Sequence, residues 1–199
     1  MRTTLLLAIF SAGTLFGAER MNVSVCNLGG LAESDVVRAK AEVEAVFRPV
    51  DVEIEWKGCD EYRASGPASR AWFLIRLRND KPPVMRSASS LDAMGRAYIG
   101  EGGDCYLADA YFKAVQKLAG AHDADADALL GFVIAHELGH LLLGEGHVPD
   151  GVMQAQWGGA AVKALERRWL QFNPEQRERI QSRLREKANV QETASGEVK

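Results

Sequence analysis

Three of the four histidines of this 199-residue chain fall in one short stretch, "HELGHLLLGEGHVPDGVM", residues 136 to 153. His136 and His140 are four apart, so on a helix they project from one face and can grip a single ion. Glu137 lies one step further round. It is badly placed to be a third ligand but well placed to take a proton from a water polarised by that ion. His147 follows after Gly144, a residue able to stop a helix in the left-handed conformation and turn the chain back. Three imidazoles leave a fourth position open, as a catalytic zinc site requires and a closed structural site does not.

The segment that must carry this group, Ala126 to Leu143, is apolar almost all round, and beyond its first turn its only charged side chain is Glu137. Such a pattern predicts a helix buried on most sides. A carboxylate there, between two imidazoles, needs a partner, because an unpaired buried charge costs several kcal/mol, on the order of the penalties seen for buried ions. A cation supplies one.

The stretch resembles the signature of the metzincin zinc endopeptidases, H-E-x-x-H-x-x-G-x-x-H followed by a methionine-containing turn. That resemblance covers about eighteen residues. It implies zinc ligands at His136, His140 and His147, a general base at Glu137, a turn glycine at Gly144 and a Met-turn residue at Met153. One departure stands out: Leu141, Leu142 and Leu143 make three residues before the glycine where the family has two, so His147 is eleven residues from His136 instead of ten. One added residue rotates a helix exit by about 100°. Glu145 and Asp150 therefore stand as alternative third ligands, carboxylates being competent zinc donors. Position 155 is alanine, where some members of the family carry a tyrosine two residues after the methionine.

Upstream, "MNVSVCN" alternates as a first strand, and Ser34 is placed to cap a helix whose apolar residues Val36, Ala39, Val43, Val46 and Phe47 end at Pro49. "VDVEIEW" is a clear strand with Val50, Val52, Ile54 and Trp56 inward. "AWFLIRLR" is another, and "RAYIG" and "CYLADAYF" read as further strands around a Gly-rich turn. By resemblance to the family, one of these last two is the edge to which a substrate strand adds. A helix is expected from about Tyr111 to Leu118. Asn173, Pro174 and Gln176 open a final helix through about Arg185. Asp123, Asp125 and Asp127 lack the glycine and glutamate of a calcium loop, since those places hold Ala128 and Ile134, and serve better as acidic residues at a helix N-terminus. His122 reads as a surface residue. These elements predict an α+β fold of the zincin or metzincin type, a twisted mixed sheet with a helix on it and a central active-site helix.

The N-terminus has Arg2, an apolar run from Leu5 to Phe16 and the small residues Gly17 and Ala18. It reads as a signal peptide over residues 1–18, too short and interrupted for a stable membrane span. A single catalytic domain over 19–190 and a disordered polar tail over 191–199 complete the expected organisation. Loss of Arg2 from 24 basic residues against 27 acidic ones moves the formal charge from −3 to −4. That balance argues against a nucleic-acid partner, which calls for a basic face. Three cysteines in an exported chain suggest one disulfide, with Cys26 and Cys59 the preferred pair, and a free Cys105 as a conceivable fourth zinc ligand.

The expectation is a secreted or periplasmic zinc endopeptidase acting on peptide or protein substrates. A zinc hydrolase of a non-protein amide such as a cell-wall peptide bridge, and a non-catalytic zinc-binding interaction protein, are the alternatives. Nothing in the chain marks an oligomeric state.

Overall fold

The computed structural model describes residues 17–65, 72–82, 93–100, 106–167 and 169–196. Most of the expected signal peptide, the loop around residues 83–92, and Cys105 lie outside them. The fold is α+β, built on a five-stranded mixed sheet in the order β2-β1-β3-β5-β4.

Strand β1, Glu19–Asn27, pairs in parallel with β2, Val52–Gly58, on one side and with β3, Trp72–Arg78, on the other. Strand β5, Leu107–Tyr111, continues the parallel order next to β3. Only β4, Gly95–Tyr98, runs antiparallel, along the free side of β5. The alternation of Phe73, Ile75 and Leu77 puts all three fully inside, with Phe73 beside Val23 of β1, which is buried like Met21.

Parallel neighbours need a crossover, and α1, Glu33–Phe47, provides it between β1 and β2. Its buried residues are Val36, Ala39, Val43, Val46 and Phe47, the stripe expected from their spacing. Ser34 is not the cap. The cap position is Ala32, without a side-chain bond, and the Ser34 hydroxyl donates to Asp35 inside the first turn. A 3-10 turn at Arg48–Val50 and a left-handed Asp51 lead into β2, so Val50 is buried just before the strand and not within it.

Cys59 opens α2, Cys59–Ser65, an element the sequence pattern does not announce, and forms a disulfide with Cys26 at the end of β1. Helix α3, Phe112–His122, runs a turn longer than expected and leaves His122 exposed.

Helix α4, Ala126–Leu143, has the bounds its apolar pattern predicts, with Asp125 capping it by accepting from the N–H groups of Asp127 and Ala128. By length and composition α4 is apolar enough to cross a membrane, yet it lies largely buried inside the fold. It packs against α1, α3, β4 and β5. A second unannounced helix, α5, spans Gly159–Glu166. Helix α6 runs Pro174–Gly196, past the expected end at about Arg185, and so converts residues 191–196 of the expected tail into helix. Glu, Gln, Arg, Lys and Ala dominate that stretch, all strong helix formers, and no proline interrupts it. Asn173 and Gln176 form the reciprocal cap expected at its start.

Candidate metal centre and its cavity

Helix α4 brings His136 and His140 together on one face, with their Nε2 atoms 3.1 Å apart. Each ring turns its other nitrogen to a backbone carbonyl: His136 Nδ1 to Val152 O at 2.7 Å and His140 Nδ1 to Gly144 O at 3.2 Å. A carbonyl oxygen can only accept, so both Nδ1 atoms carry the proton and both Nε2 atoms present lone pairs. Burial drives His136 down to about 4 and also lowers His140, which keeps both imidazoles in the neutral, ligating form. Two lone pairs that close repel, and a shared cation would turn the repulsion into ligation.

His147 completes the group in spite of the added residue. Its ring lies 5.3 Å from that of His136 and 4.8 Å from that of His140, and the donor atoms of all three lie within 4.8 Å of one another. Leu141 and Leu142 continue α4 as buried helix, and the Gly144 N–H closes its last turn on His140 O at 2.9 Å. Gly144 at φ 87° and Gly146 at φ 118° then reverse the chain in conformations that other residues rarely adopt. The two glycines absorb the altered exit angle. Glu145 and Asp150, the alternative donors, are exposed and stand outside the histidine group.

The turn after His147 does two jobs. The Val148 N–H bonds Met153 O at 3.0 Å, which closes the turn, and the Val152 carbonyl is the one that orients His136. Met153 is buried, with its sulfur against the bare Cα of Gly139, where any Cβ would collide with it. The glycine inside "HELGH" therefore makes room for the methionine. Ala155 is exposed.

Glu137 is 5% exposed and faces β4. Burial pushes its carboxyl up to about 8, the backbone N–H of Ala97 pulls the other way, and the charge of Asp109 adds a smaller push. Asp109 is itself fully buried in β5. Arg76 donates to it through two nitrogens, at 2.5 and 3.0 Å, and the Tyr98 hydroxyl donates at 2.9 Å.

The histidines and Glu137 line a cavity of about 1200 Å³, walled by β4, by Lys117 and Leu118 of α3, and by Trp157. Trp157 stands edge-on to His136, with ring centroids 6.0 Å apart, and its indole N–H bonds Gln154 O. The sequence contains no signal for that role, since nothing in the spacing of one tryptophan four residues past Met153 sets it apart. The donor set fits zinc: three nitrogen ligands, two of them already oriented by carbonyls, facing open space.

No family model matches the chain, and no curated protein sequence does. Among solved structures it is similar to an archaemetzincin from Methanopyrus kandleri, at 20% identity and a TM-score of 0.47, over 84% of this chain and 96% of that one. It is also similar to metalloproteinase-II from Bacteroides fragilis, at 14% identity and a TM-score of 0.49, over 85% of this chain and 55% of that one. The match thus spans about half the length of the Bacteroides protein. At these values the chemistry of the site has to be read from its own side chains.

Proposed function

We propose that this protein is a zinc-dependent endopeptidase of the metzincin kind, with His136, His140 and His147 holding the metal and Glu137 as the general base. The observation that carries the reading is the convergence of three imidazole donors within 4.8 Å beside a buried carboxyl in one open cavity. Zinc, when bound there, supplies a Lewis acid that polarises the scissile carbonyl and brings the pKa of water toward neutrality.

The chain's own residues do the remaining work. Glu137 accepts the proton of the attacking water at its carboxylate and returns it to the leaving amine. The Val152 and Gly144 carbonyls fix the ring orientations of His136 and His140. Met153 packs under the helix against Gly139.

Strand β4 is the candidate dock for an extended substrate. Tyr111 N–H bonds Met94 O at 2.7 Å, and the antiparallel register then alternates bonded pairs at Arg96 with Asp109 and Tyr98 with Leu107. Gly95 and Ala97 fall between those pairs, so their backbone groups turn away from β5 along the sheet edge; the Ala97 N–H meets the Glu137 carboxyl, and the Gly95 N–H and C=O and the Ala97 C=O face the side where a peptide strand can add. Export to an oxidising compartment, secreted or periplasmic, is supported by the Cys26–Cys59 disulfide.

The test is zinc content and peptide cleavage together. The parent is expected to hold one zinc per chain and to cleave peptides; His147→Ala should lose most of the metal after the same dialysis, and Glu137→Gln should keep the metal and lose cleavage. Cleavage by zinc-loaded Glu137→Gln would refute the mechanism, and equal zinc in parent and His147→Ala would move the third ligand elsewhere.

A further inference from the structure

Glu137 is shaped by a strand as well as by its own helix. A methyl group built on Gly95 of β4 would lie 2.5 Å from Glu137 Oε1, 2.7 Å from its Cγ and 2.8 Å from its Cδ. Carbon atoms pack at about 3.5–4.0 Å. No side chain fits at position 95 while Glu137 stays where it is.

The backbone does not ask for glycine here. Gly95 lies in a regular strand and is not among the glycines with positive φ, which are Gly30, Gly144, Gly146 and Gly151. Glycine weakens a strand relative to alanine, because it gives up more chain entropy and packs no side chain. What glycine supplies at 95 is space, and the space is filled by a carboxyl. The next position on the same side of β4 is Ala97, whose N–H is turned to that carboxyl. Between them they form a notch in the edge strand, on a cavity that the three histidines also line.

We propose that Gly95 is a positioning residue of the site: its bare Cα is the notch that seats the Glu137 carboxyl in front of the three histidines. This rests on the peptidase reading for its catalytic consequence, though the contact itself stands without it. All three crowded atoms belong to the outer part of one side chain, so a methyl at 95 displaces Glu137 and spares the strand and the metal ligands.

The experiment compares Gly95→Ala, Glu137→Ala and the double variant. Zinc-loaded Gly95→Ala should keep the metal content of the parent and lose about 100-fold in kcat, the cost of a misplacement on the order of 1 Å, with KM close to that of the parent. In the metal-free protein Gly95→Ala should lower Tm, and the loss should vanish in the Glu137→Ala background, where the crowded atoms are gone. Parent-like kcat in Gly95→Ala, or an equal Tm loss in both backgrounds, would overturn the proposal. If Gly95→Ala alone does not fold, a folded double variant supports the notch and an unfolded one refutes it. Cleavage by Glu137→Gln would sink the peptidase reading alone, while the Tm coupling would still judge the notch.

Discussion

The sheet has two edges, and they are finished in opposite ways. Edge strand β2 is seven residues long and studded with charge: Glu53 and Glu55 are exposed, Arg20 reaches Glu53 at 3.2 Å, and Lys57 pairs with Glu55. Edge strand β4 is four residues long, and on the side toward α4 it carries only Gly95 and Ala97. Charge and long side chains close an edge to further strands. Small residues leave one open, and here the open edge is the one beside the histidines. The difference implies that substitutions along β2 act on stability and association, whereas those along β4 act on chemistry.

The largest effect is expected where α4 meets β4. In the metal-free folded protein Glu137 holds its proton up to about pH 8, whereas the unfolded chain releases it near 4.5. The native state binds the extra proton, so this carboxyl costs nothing below about pH 4.5 and destabilises increasingly as pH rises toward 8. Metal-free Glu137→Gln should therefore be more stable than the parent by on the order of 4 kcal/mol at pH 8 and equal to it at pH 4. His136 runs the other way, since a pKa lowered to about 4 makes stability rise with pH up to 6.5. The difference between variant and parent in urea unfolding isolates the Glu137 part, and a difference that does not vary with pH would contradict the burial of the carboxyl.

The disulfide stands just past the closed edge, where Cys59 follows β2, and its loop spans a sequence separation of 33. Cys26→Ser paired with Cys59→Ser should cost about 3–4 kcal/mol of unfolding free energy by loop entropy. Zinc content should stay unchanged. At the open edge Ala97→Pro removes the N–H that meets the Glu137 carboxyl without breaking a ladder bond to β5, and kcat/KM should fall about tenfold, the worth of one such hydrogen bond. The least effect belongs to β2. Glu53→Val with Glu55→Val should leave cleavage at the parent level and promote concentration-dependent association visible by light scattering. Loss of cleavage there would erase the distinction between the edges.

The parts of the molecule governed by local periodicity were legible in the sequence. Helix α4 spans the residues its unbroken apolar character marks out, α1 buries the five residues its spacing selects, and the cysteine pair at the ends of β1 and β2 is the one joined. His136 and His140 are together because a helix leaves them no choice. Other features depend on tertiary approach and left no local trace. Ser34 is a good cap by residue type, but the helix begins at Glu33, two residues earlier than that role requires. The short helices α2 and α5 have too few residues for a periodic signal. Gly95, just before "RAYIG", carries no distinguishing mark in the sequence, and its role shows only once Glu137, some forty residues later, is found against it. The return of His147 was legible only in part, because the effect of the extra leucine depends on the φ angles of Gly144 and Gly146.

Helix α4 is wrapped by other elements along its length, with Leu129, Leu130, Ile134 and Leu138 almost wholly enclosed. The amide protons around these residues should therefore exchange through opening of the whole domain, so their rates should report global unfolding and not local fraying. Two of the three imidazoles ride on this enclosed helix. Any ion bound at His136 and His140 is consequently linked to the global folding equilibrium, and each tenfold excess of free metal over its dissociation constant slows exchange along α4 by about tenfold.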